Sequence, residues 1–106
     1  MAYMFNEDKS KCRIKSNSVT NIDKPDIAPG EKKKLTISTY YNGKVEVIGV
    51  IRVGTDMNNL PITGYDIYTY SENDKTRVEV NVFVINNTEQ ILRSVGLSCG
   101  YKYIQY

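Results

Sequence analysis

The sequence predicts an all-β protein, an antiparallel β-sandwich of jelly-roll-like or immunoglobulin-like type. Three observations carry this. Side chains alternate with a period of two from about Lys33 onward, turn-forming residues interrupt the alternating runs at short intervals, and no stretch has sustained helical periodicity, although TEQILRSV has room for a turn or two of helix. Six or seven short strands cannot bury their apolar faces in one flat layer, so two sheets must cover each other. The length, 106 residues, suffices for one domain with a modest core.

The first thirty residues are polar and charged, with Pro25 and Pro29-Gly30 interrupting them. They read as an extended arm or edge strand followed by a loop, leading into a sandwich core over residues 31–106 within the same single domain. In KKLTISTYY, Leu35, Ile37, Thr39 and Tyr41 share one face. In KVEVIGVIRV, Val45, Val47, Gly49, Ile51 and Val53 share a face, with Lys44, Glu46 and Arg52 opposite. Asn42-Gly43 between these runs tolerates the positive φ that a type I′ turn requires, which predicts a β-hairpin. VGTDMNNLP is a polar loop, GYDIYTY another strand, and SENDK its turn. TRVEVNVFVI is the cleanest alternation, with Val78, Val80, Val82 and Val84 on one side and Arg77, Glu79 and Asn81 on the other, so it is expected at the centre of a sheet. After the NNTEQ loop, ILRSVGLSCGYKYIQY closes the chain as one long strand or two, kinked where Gly96 or Gly100 allows a bulge.

Composition excludes several function classes. The chain is 41% hydrophobic and 25% charged with a formal net charge of +2, too mild a balance to imply nucleic acid. No apolar run approaches the length of a membrane-spanning helix, and MAYMFNEDKSK lacks the basic start and apolar centre of a secretion signal, so synthesis in the cytoplasm without membrane insertion is expected. Histidine is absent, which removes the usual base near neutral pH and most catalytic triads. The carboxylates Asp56, Asp66, Glu72 and Asp74 sit in or beside loops, where acidic residues normally face water, so no catalytic residue is assigned and no enzyme is expected. Cys12 and Cys99 lack metal-ligand spacing and read as small apolar fillers, with a disulfide between them the minority alternative. Glu72, Asn73 and Asp74 offer calcium-type oxygens but read first as a turn. Asn86-Asn87-Thr88 matches a glycosylation sequon of the kind that arises by chance. No cofactor and no metal is expected.

Three groups of residues remain as binding candidates. Lys9, Lys11, Arg13 and Lys15 form a cationic stripe if that stretch is extended, suited to a polyanion or acidic partner, or simply to guarding an exposed edge strand. The chain has nine tyrosines, two phenylalanines and no tryptophan, and a tyrosine presents an apolar ring with a polar tip. Tyr65, Tyr68 and Tyr70 are candidate saccharide contacts. Tyr101, Tyr103 and Tyr106 end the chain on aromatic residues and are candidates for an oligomer interface.

The order of features, from Ala28-Pro29-Gly30-Glu31 and LTI through VEVIGVIRVG, a polar loop, a short aromatic strand and VEVNVFVINNT to a final strand ending in GYKYI, resembles the small β-sandwich proteins of tail tips and baseplates from phages of Gram-positive bacteria. The resemblance covers roughly residues 19–106. It implies a non-enzymatic virion structural protein, homo-oligomeric with a trimer favoured, assembled with other tail or baseplate proteins and contributing to adsorption on host cell-wall polysaccharide. The long shaft of larger fibre proteins is missing, which points to an accessory role. Two other classes stay open: a carbohydrate-binding module acting through its tyrosines, and a small inhibitor protein of a mobile element.

Overall fold

A computed structural model describes residues 13–57 and 60–106. Six strands follow in chain order: β1 (Arg13–Thr20), β2 (Lys32–Asn42), β3 (Val45–Thr55), β4 (Ile62–Glu72), β5 (Lys75–Ile85) and β6 (Leu97–Gln105). They form two three-stranded antiparallel sheets, one ordered β1-β6-β3 and the other β2-β5-β4. This is the small β-sandwich that the alternation requires.

Strand β5 lies at the centre of its sheet, as its valines predict. Val78, Val80, Val82 and Val84 are fully buried, and β2 supplies Leu35 and Ile37 to the same layer. From the other sheet come Val45, Leu97, Cys99, Tyr101 and Tyr103. Burial of one valine side chain contributes roughly 1.5–3 kcal/mol, so this row is the main apolar contribution of its sheet.

The predicted Asn42-Gly43 hairpin does not form. Gly43 does adopt positive φ (84°), but β2 pairs with β5 and β3 with β6, so the turn carries the chain from one sheet across to the other. The two-residue hairpin lies instead between β4 and β5, where Glu72 opposes Lys75 and both Asn73 and Asp74 have positive φ, the requirement of a type I′ turn. SENDK is therefore a turn, as read.

Strand β3 departs from simple alternation. Register shifts between Val47 and Gly49 and between Val50 and Arg52 insert an extra residue twice against β6. The inward row becomes Val45, Val47, Val50 and Val53, whereas Gly49 and Ile51, expected to point inward, face out with Ile48. The irregularity expected in the last strand at Gly96 or Gly100 thus belongs to its partner. Residues 88–95 contain no helix, and β6 begins only at Leu97.

Two long connections are stitched together at one end of the sandwich. Ile27 and Leu92 exchange backbone hydrogen bonds, the Val95 amide donates to the Pro25 carbonyl, and Ile27 is fully buried. The buried Asn86 side chain donates to the carbonyls of Ile27 and Gln90 and accepts from Thr88, while Asn21 bridges Asp23, Val95 and Leu97. Gly96 passes close to Asp56, whose carboxylate accepts its amide. A Cβ there would lie 2.9 Å from Asp56 Oδ2, so any side chain would have to push this carboxylate aside.

Candidate functional surface

The terminal tyrosines correct one expectation. Tyr101 is 0% exposed and Tyr103 7%, both turned toward the opposite sheet, so these rings are core members and offer no surface to a second copy. Tyr41 of β2 reaches them from across the sandwich. Its hydroxyl accepts from Asn17 Nδ2 at 2.7 Å and shares a hydrogen bond with the Tyr101 hydroxyl, and its ring packs 4.9 Å from that of Tyr103. Burial holds the Tyr101 hydroxyl well above the usual phenol range, reinforced by the neighbouring Tyr41, and the Tyr103 hydroxyl is raised for the same reasons. Tyr106 alone of the three lies at the surface, where its hydroxyl donates to Glu46 Oε1 at 2.6 Å and Lys44 sits 5.3 Å over its ring.

The saccharide candidates divide between two faces. Tyr65 opposes Val82 and belongs to the inward-directed row of β4, yet it is 47% exposed because β4 is an edge strand. Tyr68 and Tyr70 are on the outer face, with ring centroids 6.3 Å apart. Register adds residues that the sequence reading left unassigned as site residues. Tyr40 of β2 and Tyr70 of β4 flank Arg77 of β5 on one rung, and Ser38 and Tyr68 flank Glu79 on the next. Tyr40 is 67% exposed, Tyr68 47% and Tyr70 44%.

Between the tyrosines runs a chain of polar groups fixed by their own contacts. The Arg77 guanidinium stacks 4.5 Å over the Tyr70 ring and lies 3.5 Å from Glu79 Oε1. Asn81 Nδ2 donates to Glu79 Oε2 at 3.2 Å, and Thr36 Oγ1 donates to Asn81 Oδ1 at 2.7 Å. At the hairpin end the face opens into a shallow depression of about 570 Å³, lined by Tyr40, Tyr70, Glu72, Asn73, Lys75 and Arg77. Period-two parity could have found this surface: Tyr41 shares a face with Leu35 and Ile37, so Tyr40 must point outward, and Tyr65 differs in parity from Tyr68 and Tyr70.

The remaining candidates lie elsewhere. Lys9 and Lys11 are outside the described residues. Arg13 and Lys15 are exposed on the edge strand β1, opposite in direction to Ile14, and Lys15 Nζ donates to Gln105 Oε1 at 2.7 Å. Cys99 is a free, buried thiol whose pKa burial raises. Cys12, its candidate disulfide partner, lies outside the described residues. The sequon asparagine Asn86 is fully buried with both amide hydrogens donated, so it offers no site for a glycan. Among the described residues, no group of His, Cys, Asp and Glu side chains is arranged to hold a metal ion.

Fold and surface together define a six-stranded β-sandwich with one outer face built as an aromatic and polar platform. No protein-family model, curated protein or solved structure matches the chain.

Proposed function

We propose that this chain is a non-enzymatic recognition module that holds a saccharide on the outer face of the β2-β5-β4 sheet. The observation that carries this reading is the set of exposed rings, Tyr40, Tyr68 and Tyr70, bordering the fixed polar chain of Arg77, Glu79, Asn81 and Thr36. Sugars present apolar C–H faces and hydroxyl edges, and a tyrosine platform with convergent donors and acceptors complements both. Pull-down on Gram-positive cell walls tests it. The Tyr40→Ala/Tyr68→Ala/Tyr70→Ala variant should lose wall binding, whereas Tyr65→Ala, on the other side of β4, should keep it. Retention of binding by the triple variant would clear these rings of the role.

The setting proposed for the module is the tail tip or baseplate of a phage, as a virion structural protein contributing to host adsorption, and it rests on the order of sequence features described above. Assembly into an oligomer is supported by the outer face of the β1-β6-β3 sheet, where Ile14, Ile48 and Ile51 are exposed side chains on a β-surface with no covering layer among the described residues, and the preference for a trimer rests on the order of sequence features alone. Light scattering at micromolar concentration should report a multimer. A strict monomer counts against assembly and leaves the saccharide reading untouched.

A further inference from the structure

Charge and hydrogen bonding on the aromatic platform narrow the class of ligand. The inference rests on the saccharide reading above and concerns which saccharide.

Six successive rungs of the outer face, from the Glu72–Lys75 pair to the Lys32–Ile85 pair, carry the cations Lys32, Lys34, Lys75 and Arg77 and the anions Asp66, Glu72 and Glu79. Four positive and three negative side chains leave an excess of one positive charge. Lys32 and Lys34 stand together at the far end, whereas on the four rungs from Lys75 to Asn81 cations and anions are interspersed, which leaves no field of one sign around the tyrosines to attract a polyanion. The central cation is also already compensated, because Arg77 lies 3.5 Å from Glu79 Oε1. An anionic ligand binding Arg77 would have to displace Glu79 or accept a carboxylate as its neighbour. A hydroxyl group meets neither obstacle, since it donates to Glu79 and accepts from Arg77 at once.

The flanking rings fit the same ligand. Tyr40 and Tyr70 stand on either side of Arg77, separated by two inter-strand spacings, or roughly 10 Å. The guanidinium covers the Tyr70 face turned toward it, so a sugar ring has room against Tyr40, with its edge over the guanidinium and carboxylate. Glu79 is held on one oxygen by Asn81 and approached by Arg77 on the other, so its lone pairs are aimed before any ligand arrives.

We infer that the outer face of the β2-β5-β4 sheet selects an uncharged, polyhydroxylated polymer, with Tyr40, Tyr68 and Tyr70 stacking on its rings and the Arg77–Glu79 pair reading its hydroxyls. The ligand class is a neutral polysaccharide. Glu79 and Arg77 are the specificity-determining residues.

The test is a binding panel on the intact chain by biolayer interferometry. Dextran, galactomannan and mixed-linkage β-glucan are the neutral probes; polygalacturonate and polyglycerol phosphate are the anionic ones. At least one neutral polymer should bind, with affinity changing by no more than about twofold between low and high sodium chloride. Glu79→Gln and Arg77→Gln, checked for an unchanged melting transition, should each weaken that binding by about tenfold or more. Preferential binding of an anionic polymer with affinity falling steeply in salt overturns the inference and leaves saccharide recognition standing. Unchanged affinity of folded Glu79→Gln removes its assigned role and overturns the inference equally. Binding of none of the polymers counts against both the inference and the saccharide reading.

Discussion

Tyr101 shows how one residue type supports two readings. A phenol ring has the apolar area of a core residue and the polar tip of an interface residue, so a tyrosine-rich strand does not reveal by composition whether its rings face the other sheet or another molecule. Partnering decides it. Tyr41 supplies the hydrogen bond that lets Tyr101 sit fully buried, and Tyr41 lies on a strand distant in sequence. This arrangement has a consequence for stability. The Tyr101 hydroxyl keeps its proton in the folded state beyond the pH at which an unfolded tyrosine, with pKa near 10, releases it. The folded protein then binds more protons than the unfolded chain, so stability is fully present below about pH 10 and falls as pH rises above it. Alkaline titration followed by circular dichroism should show this decline, and Tyr101→Phe should move its onset upward. An identical onset in the variant would show that Tyr101 does not drive the transition.

Among the strands, β5 was legible in full because its period-two pattern is unbroken and its central position demands a continuous apolar face. Strand β3 was legible only in part. Its two extra residues carry no local signature, and the outward Ile48 and Ile51 are as apolar as the valines of the inward row. Outward isoleucines on both bulges create the apolar surface proposed for assembly, so Ile51→Lys should reduce the mass seen by light scattering if that face joins copies. The Asn42-Gly43 turn was also half legible. Its positive φ follows from the residue types, but whether the chain then pairs with the strand it has left or crosses to the opposite sheet depends on which partner offers a better register. Strand β2 finds that partner in β5, with an uninterrupted register from Lys32 to Asn42.

At the scale of the molecule, the two outer faces differ in kind. One is an isoleucine-bearing surface on β1-β6-β3; the other is the tyrosine and ion-pair platform on β2-β5-β4. The sandwich therefore keeps attachment and recognition on opposite sides in the proposed function. The fold class followed directly from alternation, while the platform needed register, because Tyr40, Arg77 and Tyr70 come from three strands and meet only when β2 and β4 both pair with β5. The central claim is that this platform is the recognition surface. Amide chemical-shift mapping by NMR, during titration with the neutral polysaccharide that binds most tightly, tests it most directly. Perturbations should concentrate at Thr36–Tyr40, Asp66–Tyr70 and Arg77–Asn81. A footprint on β1, β3 and β6 instead, with those segments unmoved, would contradict it.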